Sequence, residues 1–311
     1  MPALLHVVAP VFGIAALGFL ASRLGLMKPA GVEGMVGFVF NFAIPVLLLR
    51  SMAGLEMPED IRWSFLVAFY AGSLTVWAMG ISVARLAFHR ALDQGAIYGM
   101  GAAFSNTVMM GIPVVLTAFG PEATLPLFLI ISFHSALFMP LTAGLIQWSR
   151  GRGVSWGDRI REVVRALAQN PIVLGLALGT VLNLTGVVLP GPLDRTLELL
   201  GTAAVPCALF TMGAAVAGYP LTGDLHPSAA LAVLKLVVHP LVVWTVGRWL
   251  LHLDGLWLSV AVVMAAMPSG INVYLFGARY EAAAGVAART VLLTSLFSVA
   301  TLSTLLVLLG G

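Results

Sequence analysis

Two stretches of the sequence place polar side chains and helix-breaking residues inside long apolar runs. Residues 102–113 read AAFSNTVMMGIP, and residues 265–276 read AAMPSGINVYLF. Each stretch lies within a hydrophobic segment that is long enough to cross a bilayer. In lipid an unpaired backbone N–H or C=O group is strongly unfavourable, so an interrupted helix persists only where it contacts protein or a wet cavity. Two interruptions at corresponding places therefore predict one ligand site formed by both.

The first stretch offers three adjacent polar side chains, Ser105, Asn106 and Thr107. The amide of Asn106 can donate hydrogen bonds to a carboxylate or accept one from a protonated acid. A membrane Asn also bonds neighbouring helices, with an average gain of about 0.6 kcal/mol. Because Asn106 flanks the predicted interruption, contact with a ligand is the interpretation that we favour.

The second stretch contains Pro268, Ser269 and Gly270, which remove one N–H group, add a hydroxyl group and free the backbone. A proline kink without a ligand is the alternative, since membrane helices tolerate such kinks. If half-helices separate here, their N-terminal ends present N–H groups and a positive dipole to an anion. Asn272 follows one turn after Pro268 and is a second amide candidate.

Two more polar residues lie inside apolar segments. Asn41 stands four residues before Pro45 on the same helix face, where it either faces a neighbouring domain or satisfies backbone groups at the proline kink. Lys235 lies about 12 Å into its segment, and its ammonium group either reaches out to the interface or serves as a countercharge for an anion. A lone intramembrane histidine, such as His134 or His239, is more commonly a packing residue than a titrating one.

The composition indicates a polytopic α-helical membrane protein. The chain has 311 residues, of which 60% are hydrophobic and 9% charged, and its mean hydropathy is +1.01. A globular protein has about 25% charged residues. The single Cys207 gives neither a disulfide framework nor a metal-binding spacing. The sequence also lacks metalloprotease, nucleophile-elbow and phosphate-loop motifs, so we do not expect an enzyme.

The hydrophobic runs predict ten transmembrane helices, which we call segments one to ten. Lys or Arg does not precede the first run, so a cleavable signal peptide is not expected. The only sizeable polar loop lies between segments five and six. The predicted segments cover about residues 4–22, 33–53, 62–88, 95–118, 123–148, 170–189, 195–218, 228–251, 255–278 and 284–309.

Segments one to five and six to ten form an apparent tandem repeat. Pro45 of segment two aligns with Pro206 of segment seven at an offset of 161 residues, and Ser105 aligns with Pro268 at an offset of 163. Because each copy has an odd number of segments, the second copy enters the membrane from the opposite side. The sequence therefore predicts a first inverted repeat over 1–150, a cytoplasmic linker over 151–169 and a second repeat over 170–311.

The distribution of Lys and Arg predicts the orientation. Loops after odd-numbered segments hold eleven of these residues, and the opposite face holds four. Because cytoplasmic loops are enriched in Lys and Arg, both termini are expected outside the cytoplasm, in a cytoplasmic (inner) membrane. The basic balance then reflects membrane topology, and nucleic acid is not expected as a partner.

Four motifs carry a family resemblance that spans the whole chain. They are FAIPVLLL in segment two, FSNTVMMGIPVV in segment four, NPIVLGLALG in segment six and AAMPSGINVYLFGARYE in segment nine. These motifs resemble the auxin efflux carrier family, which includes plant PIN carriers and bacterial permeases for organic acids such as malonate and malate. The resemblance implies two inverted five-helix repeats, a scaffold domain of segments 1, 2, 6 and 7, and a transport domain of segments 3–5 and 8–10. It also implies that segments four and nine break and cross at the substrate, and that the transport domain moves like an elevator.

The chain departs from the family pattern at one position. Plant carriers typically have Pro-Asn in the fourth helix, whereas this chain has Ser105-Asn106. The amide matches and the proline does not. We therefore expect a less sharp break in segment four, with Gly111 and Pro113 carrying more of the distortion. The resemblance also suggests a homodimer through the scaffold domain, with segments two and seven at its interface.

The expected function is that of a secondary carrier that exports a small organic anion such as a carboxylic acid. All thirteen acidic residues lie in loops or near segment ends, so an intramembrane proton relay is not evident. Sodium at the broken helices is compatible with the sequence but not predicted, and no cofactor is expected. The alternatives are a sodium- or proton-coupled importer of the same fold and a membrane ligand sensor that does not transport.

Overall fold

The computed structural model describes residues 2–56, 61–151, 157, 161, 164–165, 167–219 and 222–309. Within these ranges the chain is helical, with one isolated β-bridge and no strand. The predicted linker 151–169 lies largely outside the described residues. The α-helices are α1 (Pro2–Arg23), α2 (Pro29–Phe38), α3 (Ile44–Ala53), α4 (Ser64–Leu86), α5 (Leu92–Ala103), α6 (Ile112–Phe119), α7 (Thr124–Ser149), α8 (Pro171–Thr185), α9 (Gly191–Thr202), α10 (Ala204–Val216), α11 (His226–Val233), α12 (His239–Thr245), α13 (Gly255–Ala266), α14 (Asn272–Arg279) and α15 (Ala284–Leu308).

Short π-helical turns join several of these helices into longer rods. They cover Val39–Ala43, Thr107–Gly111, Leu234–Val238 and Val246–Leu250, and a 3-10 turn at Pro121–Ala123 precedes α7. Each π turn places one extra residue in the helix, which rotates the side chains that follow it and commonly marks a functional position. Two of these turns, Thr107–Gly111 and Leu234–Val238, carry candidate site residues.

The helices confirm a multi-pass integral membrane protein. Six helical stretches in the described residues are long and apolar enough to cross a membrane, and four shorter apolar helices accompany them. Every predicted segment contains at least one α-helix. The six long stretches are Pro29–Ala53, Ser64–Leu86, Pro121–Ser149, Gly191–Val216, His226–Leu250 and Ala284–Leu308.

Glycines allow the closest helix contacts in the molecule. A Cβ atom built on Gly18 of α1 would lie 1.9 Å from the carbonyl oxygen of Phe210 in α10, and one on Gly213 would lie 1.8 Å from that of Ala15. Only glycine therefore permits α1 and α10 to approach this closely, and small residues are what membrane helix packing uses for such contacts. Other close helix pairs are α3 with α8, α4 with α5, and α5 with α7.

Arg150 forms hydrogen bonds that connect the ends of three helices near the candidate site. Arg150, just after α7, donates hydrogen bonds of 2.9 and 3.1 Å to the carboxylate of Asp93 at the start of α5. It also donates to the backbone carbonyl of Tyr280, which follows α14, at 2.8 Å. The ends of α5, α7 and α14 are therefore held together at this surface.

Candidate functional site: the crossing of two broken helices

Segments four and nine both break in the middle and pair with each other through their backbones. α5 ends at Ala103 and α13 ends at Ala266, and each is followed by extended residues. The amide of Asn106 donates to the carbonyl of Pro268 at 2.8 Å, and the amide of Gly270 donates to that of Phe104 at 3.0 Å. These two bonds form an antiparallel bridge between Ser105 and Ser269. The crossing thus satisfies backbone groups that the helix breaks release.

The expectation of a weaker break in segment four was wrong. Phe104 has φ −75° and ψ 104°, so the chain leaves the helix completely at this residue. Gly111 and Pro113 lie in helical turns beyond the break. The physical reason is that a side chain outside the helix satisfies the backbone N–H of Ser105, a group that a proline at this position would lack. The Nε2 atom of His134 accepts the backbone N–H of Ser105 at 2.9 Å, so this amide needs no partner within its own helix.

The second break satisfies the equivalent amide with a different side chain. The backbone N–H of Ser269 donates to Oγ1 of Thr294 at 3.0 Å, and the Ser269 hydroxyl donates to the carbonyl of Gly101 at 2.6 Å. The β-bridge therefore pairs Ser105 with Ser269. The sequence alignment at an offset of 163 pairs Ser105 with Pro268 instead, one residue earlier. The two serines hold equivalent places in the crossing.

Lys235 lies against the first break. The side chain is fully buried in the π-helical turn Leu234–Val238. Its Nζ atom donates to the Ser105 hydroxyl at 2.8 Å and to the carbonyl of Ala265 at 2.5 Å, and it lies 3.1 Å from Nδ1 of His239. The snorkelling alternative for this residue does not hold, because the amine points into the crossing.

The hydrogen bonds fix how the two buried histidines carry their protons. His134 accepts a backbone N–H at Nε2, so the proton of the neutral ring is on Nδ1, an atom without a partner among the described residues. Nε2 of His239 lies 2.8 Å from the Ser73 hydroxyl, which itself donates to the Phe69 carbonyl. His239 therefore donates to Ser73 through Nε2 and accepts from Lys235 through Nδ1. Both rings act as neutral hydrogen-bonding groups here.

A pocket of about 340 Å³ opens beside the crossing. Five predicted site residues line it: Ser105, Asn106, Thr107, Gly270 and Asn272. None of its lining residues is charged. The remaining lining residues are apolar apart from Ser135 and Asn170, and they are Val36, Phe40, Phe104, Val108, Met109, Ile131, Met139, Ile172, Val173, Ile271 and Leu275.

The other four predicted residues lie outside this lining. Pro268 and Ser269 form the crossing behind the pocket, and Lys235 contacts the pocket only through Ser105. Asn41 is exposed, and its side-chain amide donates to the carbonyl of Gly37 one turn earlier at 2.9 Å. This bond lies within its own helix, eight residues before Pro45, so it does not satisfy the backbone at the proline kink.

The sequence reasoning missed the lining residues Asn170 and Ser135 and the supporting residue Thr294, and it named His134 without connecting it to the break. Asn170 caps α8, since its Oδ1 accepts the N–H of Ile172 at 2.9 Å, and the Asn-Pro pair at the start of an apolar segment is a recognisable helix-start signal. Ser135 carries no comparable signal. His134 and Thr294 support the breaks from other segments, a relation that spacing along the chain does not reveal. Three His, Cys, Asp or Glu side chains grouped as metal ligands do not occur in the described part of the chain.

Comparison with known proteins agrees with the motifs. A family model described as "Membrane transport protein" matches residues 3–156 and 158–306. The chain is 28% identical over 303 residues to a protein of Rhizobium meliloti (strain 1021) with the name "Putative malonate transporter", covering 97% of this chain and 94% of that protein.

Two eukaryotic proteins are also similar. Auxin efflux carrier component 8 of Arabidopsis thaliana is 23% identical over 337 residues, covering 89% of this chain and 90% of that protein. The lysosomal cholesterol signaling protein of Mus musculus is 23% identical over 228 residues, covering 70% of this chain and only 26% of that protein.

Proposed function

Because the chain belongs to the membrane transport protein family, which includes the auxin efflux carriers, we propose that it carries a small organic anion across the cytoplasmic membrane. The family is one of transporters, so the chain is not an enzyme. The observation that carries the proposal is the pocket at the crossing, where the first turns of two half-helices and three amide side chains converge. A carboxylate is the ligand that such a group of donors recognises.

The polar lining supports an anion with an apolar body. Asn106, Asn170 and Asn272 supply amide groups, and Ser105 and Ser135 supply hydroxyl groups. The Ser105 oxygen accepts from Lys235, so its own proton is free to be donated toward the pocket. The rest of the lining is aliphatic, aromatic or thioether surface. The malonate named for the Rhizobium meliloti protein makes carboxylic acids the first class to test.

The geometry of the crossing supports an inverted repeat of ten transmembrane helices. Its two backbone bonds join Phe104 to Gly270 and Asn106 to Pro268, and they exchange places under a local two-fold rotation. An inverted repeat generates such a rotation axis in the membrane plane, and substrate sites lie where the repeats meet. The elevator movement of segments 3–5 and 8–10 against segments 1, 2, 6 and 7 is part of the same proposal.

The pocket faces the side that the Lys and Arg distribution assigns to the cytoplasm. Val36 lies early in segment two, Asn170 lies at the start of α8, and Leu275 lies in α14 shortly before Arg279. Segment ends on this side border the basic loops. This position of the pocket supports an inward-open state as part of the proposal. A negative-inside membrane potential drives an anion outward, by about 2.3 kcal/mol per charge at 100 mV, which favours export.

The scaffold faces support self-association into a homodimer. Large apolar side chains that the described chain leaves exposed are Phe42 of segment two, Leu199 of segment seven and Leu193 just before segment seven. Lipid and a second copy are both suitable covers for such a surface. Native mass measurement in lipid nanodiscs distinguishes them, since a dimer has twice the 32.6 kDa mass of the chain. A monomer in every lipid would contradict this part of the proposal.

The experiment that tests the function is transport current from reconstituted protein on solid-supported membranes. A panel of monocarboxylates and dicarboxylates is applied with and without Na⁺ and with and without a pH gradient. We expect current for an acid without Na⁺ or protons, and loss of that current in Asn106→Ala. Asn41→Ala is the matched control, because Asn41 is an intramembrane amide outside the pocket.

The outcomes separate the alternatives. Current that survives Asn106→Ala would move the site away from the crossing. Current that requires Na⁺ or a proton gradient would support a coupled importer of the same fold. The relative named as a cholesterol signaling protein favours one further candidate, a sensor that binds ligand without moving it. Binding with no current, and with no exchange of radiolabelled acid, would support the sensor.

A further inference from the structure

Lys235 is unusual because it places an amine side chain in the buried interior of the molecule. Among the residues that the structure describes, it is the only Lys, Arg, Asp or Glu side chain that is buried. No carboxylate lies in contact with it, and the ion pairs of the described chain all involve other residues. A buried ion without a partner of opposite charge is strongly unfavourable, so such a residue is retained for a function.

The three contacts of Lys235 are those that would suit a small cation. Ala265 lies in the last turn of α13, and its carbonyl lacks the usual helical partner because the N–H of Ser269 bonds Thr294 instead. The amine takes this free carbonyl, the Ser105 hydroxyl of the other break, and Nδ1 of His239. All three partners accept, which matches the three donors of an ammonium group.

In carriers with broken helices, the carbonyls at the C-terminal ends of half-helices coordinate Na⁺, while the N-terminal ends bind the anionic substrate. Lys235 bonds a carbonyl at the C-terminal end of the half-helix α13, and the pocket lies at the N-terminal ends of the other two half-helices. We propose that Lys235 is a tethered cation that occupies the position of a coupling ion and acts through Ser105 as the countercharge of the bound anion. This inference rests on the proposed function. It makes Lys235 a positioning residue rather than one that touches substrate.

Ser105 links the cation position held by Lys235 to the pocket proposed for the anion. It lines the pocket, and it also receives the hydrogen bond of the ammonium group. Since the neighbouring rings of His134 and His239 act as neutral hydrogen-bonding groups, Lys235 is the side chain to which the proposal assigns the positive charge of the crossing. The site is therefore complementary to one negative charge and does not need Na⁺ to bind it.

A cation-rescue experiment tests the tethered cation without any substrate. Thermal unfolding of the purified full chain is followed in choline, sodium and methylammonium chloride for wild type, Lys235→Ala, Lys235→Met and Lys28→Ala. Lys28, the other lysine of the chain, is exposed and serves as the matched control. We expect methylammonium to raise the Tm of Lys235→Ala by about 2 °C or more, because it refills the vacated place. The Tm of the other three proteins should not respond, since Lys235→Met fills the space without a charge.

The second arm measures binding of the acid that the transport panel identifies. We expect wild type to bind it equally in sodium and in choline, and Lys235→Met to bind it at least about tenfold more weakly. Methylammonium should restore part of the affinity of Lys235→Ala and none of Lys235→Met. A residue that merely stabilised the fold would not give a rescue that depends on a cation.

Each contrary result has a distinct meaning. Wild-type affinity in both Lys235 variants would overturn the inference and leave the carrier function intact. Dependence of wild-type binding on Na⁺ would also overturn it, and this measurement needs no variant to fold. If wild type binds no acid of the panel, the proposed function and the countercharge role fail together. The methylammonium response still decides in that case whether Lys235 occupies a cation position.

Discussion

The two breaks share one backbone geometry but differ in their side-chain chemistry. At the first break, the amide of Ser105 is held by His134 and its hydroxyl by Lys235. At the second, the amide of Ser269 is held by Thr294 and its hydroxyl bonds a backbone carbonyl. Ser105 thus has titratable side chains at both its amide and its hydroxyl, whereas the partners of Ser269 are neutral, and Lys235 reaches the second break only through the backbone carbonyl of Ala265. The comparison teaches that the backbone builds the crossing, while titratable side chains contact the serine of one break and not that of the other.

The largest effect is expected from removing the imidazole at the first break. His134→Leu leaves the buried N–H of Ser105 without an acceptor. It also removes the ring that packs against Phe104, with the two ring centroids 4.7 Å apart. We expect a loss of about 3 kcal/mol of stability, which thermal and denaturant unfolding in detergent would measure. A variant as stable as wild type would show that water or another group satisfies this amide.

Thr294→Val makes the matched change at the second break. It keeps the shape of the side chain and leaves the N–H of Ser269 without its acceptor. We expect a loss of about 2 kcal/mol, smaller than at His134 because this variant loses the acceptor but no aromatic contact. The same unfolding measurements apply. A loss larger than that of His134→Leu would reverse the order of the two breaks.

The two serine hydroxyls should differ in function rather than in stability. Ser105→Ala removes the link between Lys235 and the pocket, so we expect binding of the transported acid to weaken about tenfold. Ser269→Ala removes a bond to the Gly101 carbonyl outside the pocket lining and should leave that affinity within about twofold of wild type. Isothermal titration of both variants is the measurement. Equal losses would mean that both breaks contact the ligand.

The smallest expected effect concerns the substrate. With Lys235 as the single cationic side chain proposed for the crossing, the site should prefer one carboxylate to two. We expect a dicarboxylate to bind about threefold more weakly than the monocarboxylate of equal chain length, because its second carboxylate meets a lining without charged residues. Competition binding at neutral pH measures the ratio. A preference for the dianion would require a second cation near the pocket.

The sequence predicted the breaks because their signals are local. Pro268, Ser269 and Gly270 cannot continue a helix easily, and Asn106 and Asn272 both lie in the pocket that the structure shows. The multi-pass helical class followed from composition. These features depend on residues within one turn of each other, so no knowledge of packing was needed.

The remaining features depend on which segments meet. The sharp break at Ser105 requires the imidazole of His134, which is 29 residues away along the chain. Whether Lys235 reached outward or inward depended on the free carbonyl of Ala265 and on Ser105. Asn41 had the right chemistry and depth, but its helix face is exposed and its amide bonds its own helix. Periodicity does not determine which helix faces which neighbour.

The antiparallel bridge has a consequence for how such proteins diversify. Its bonds join the main-chain atoms of Phe104, Asn106, Pro268 and Gly270, so most side-chain substitutions leave them in place. The residues that touch a ligand can therefore change while the crossing that presents them persists. Proteins with this architecture can therefore change their substrate through a few substitutions in the pocket lining, while the backbone bridge between segments four and nine stays the same.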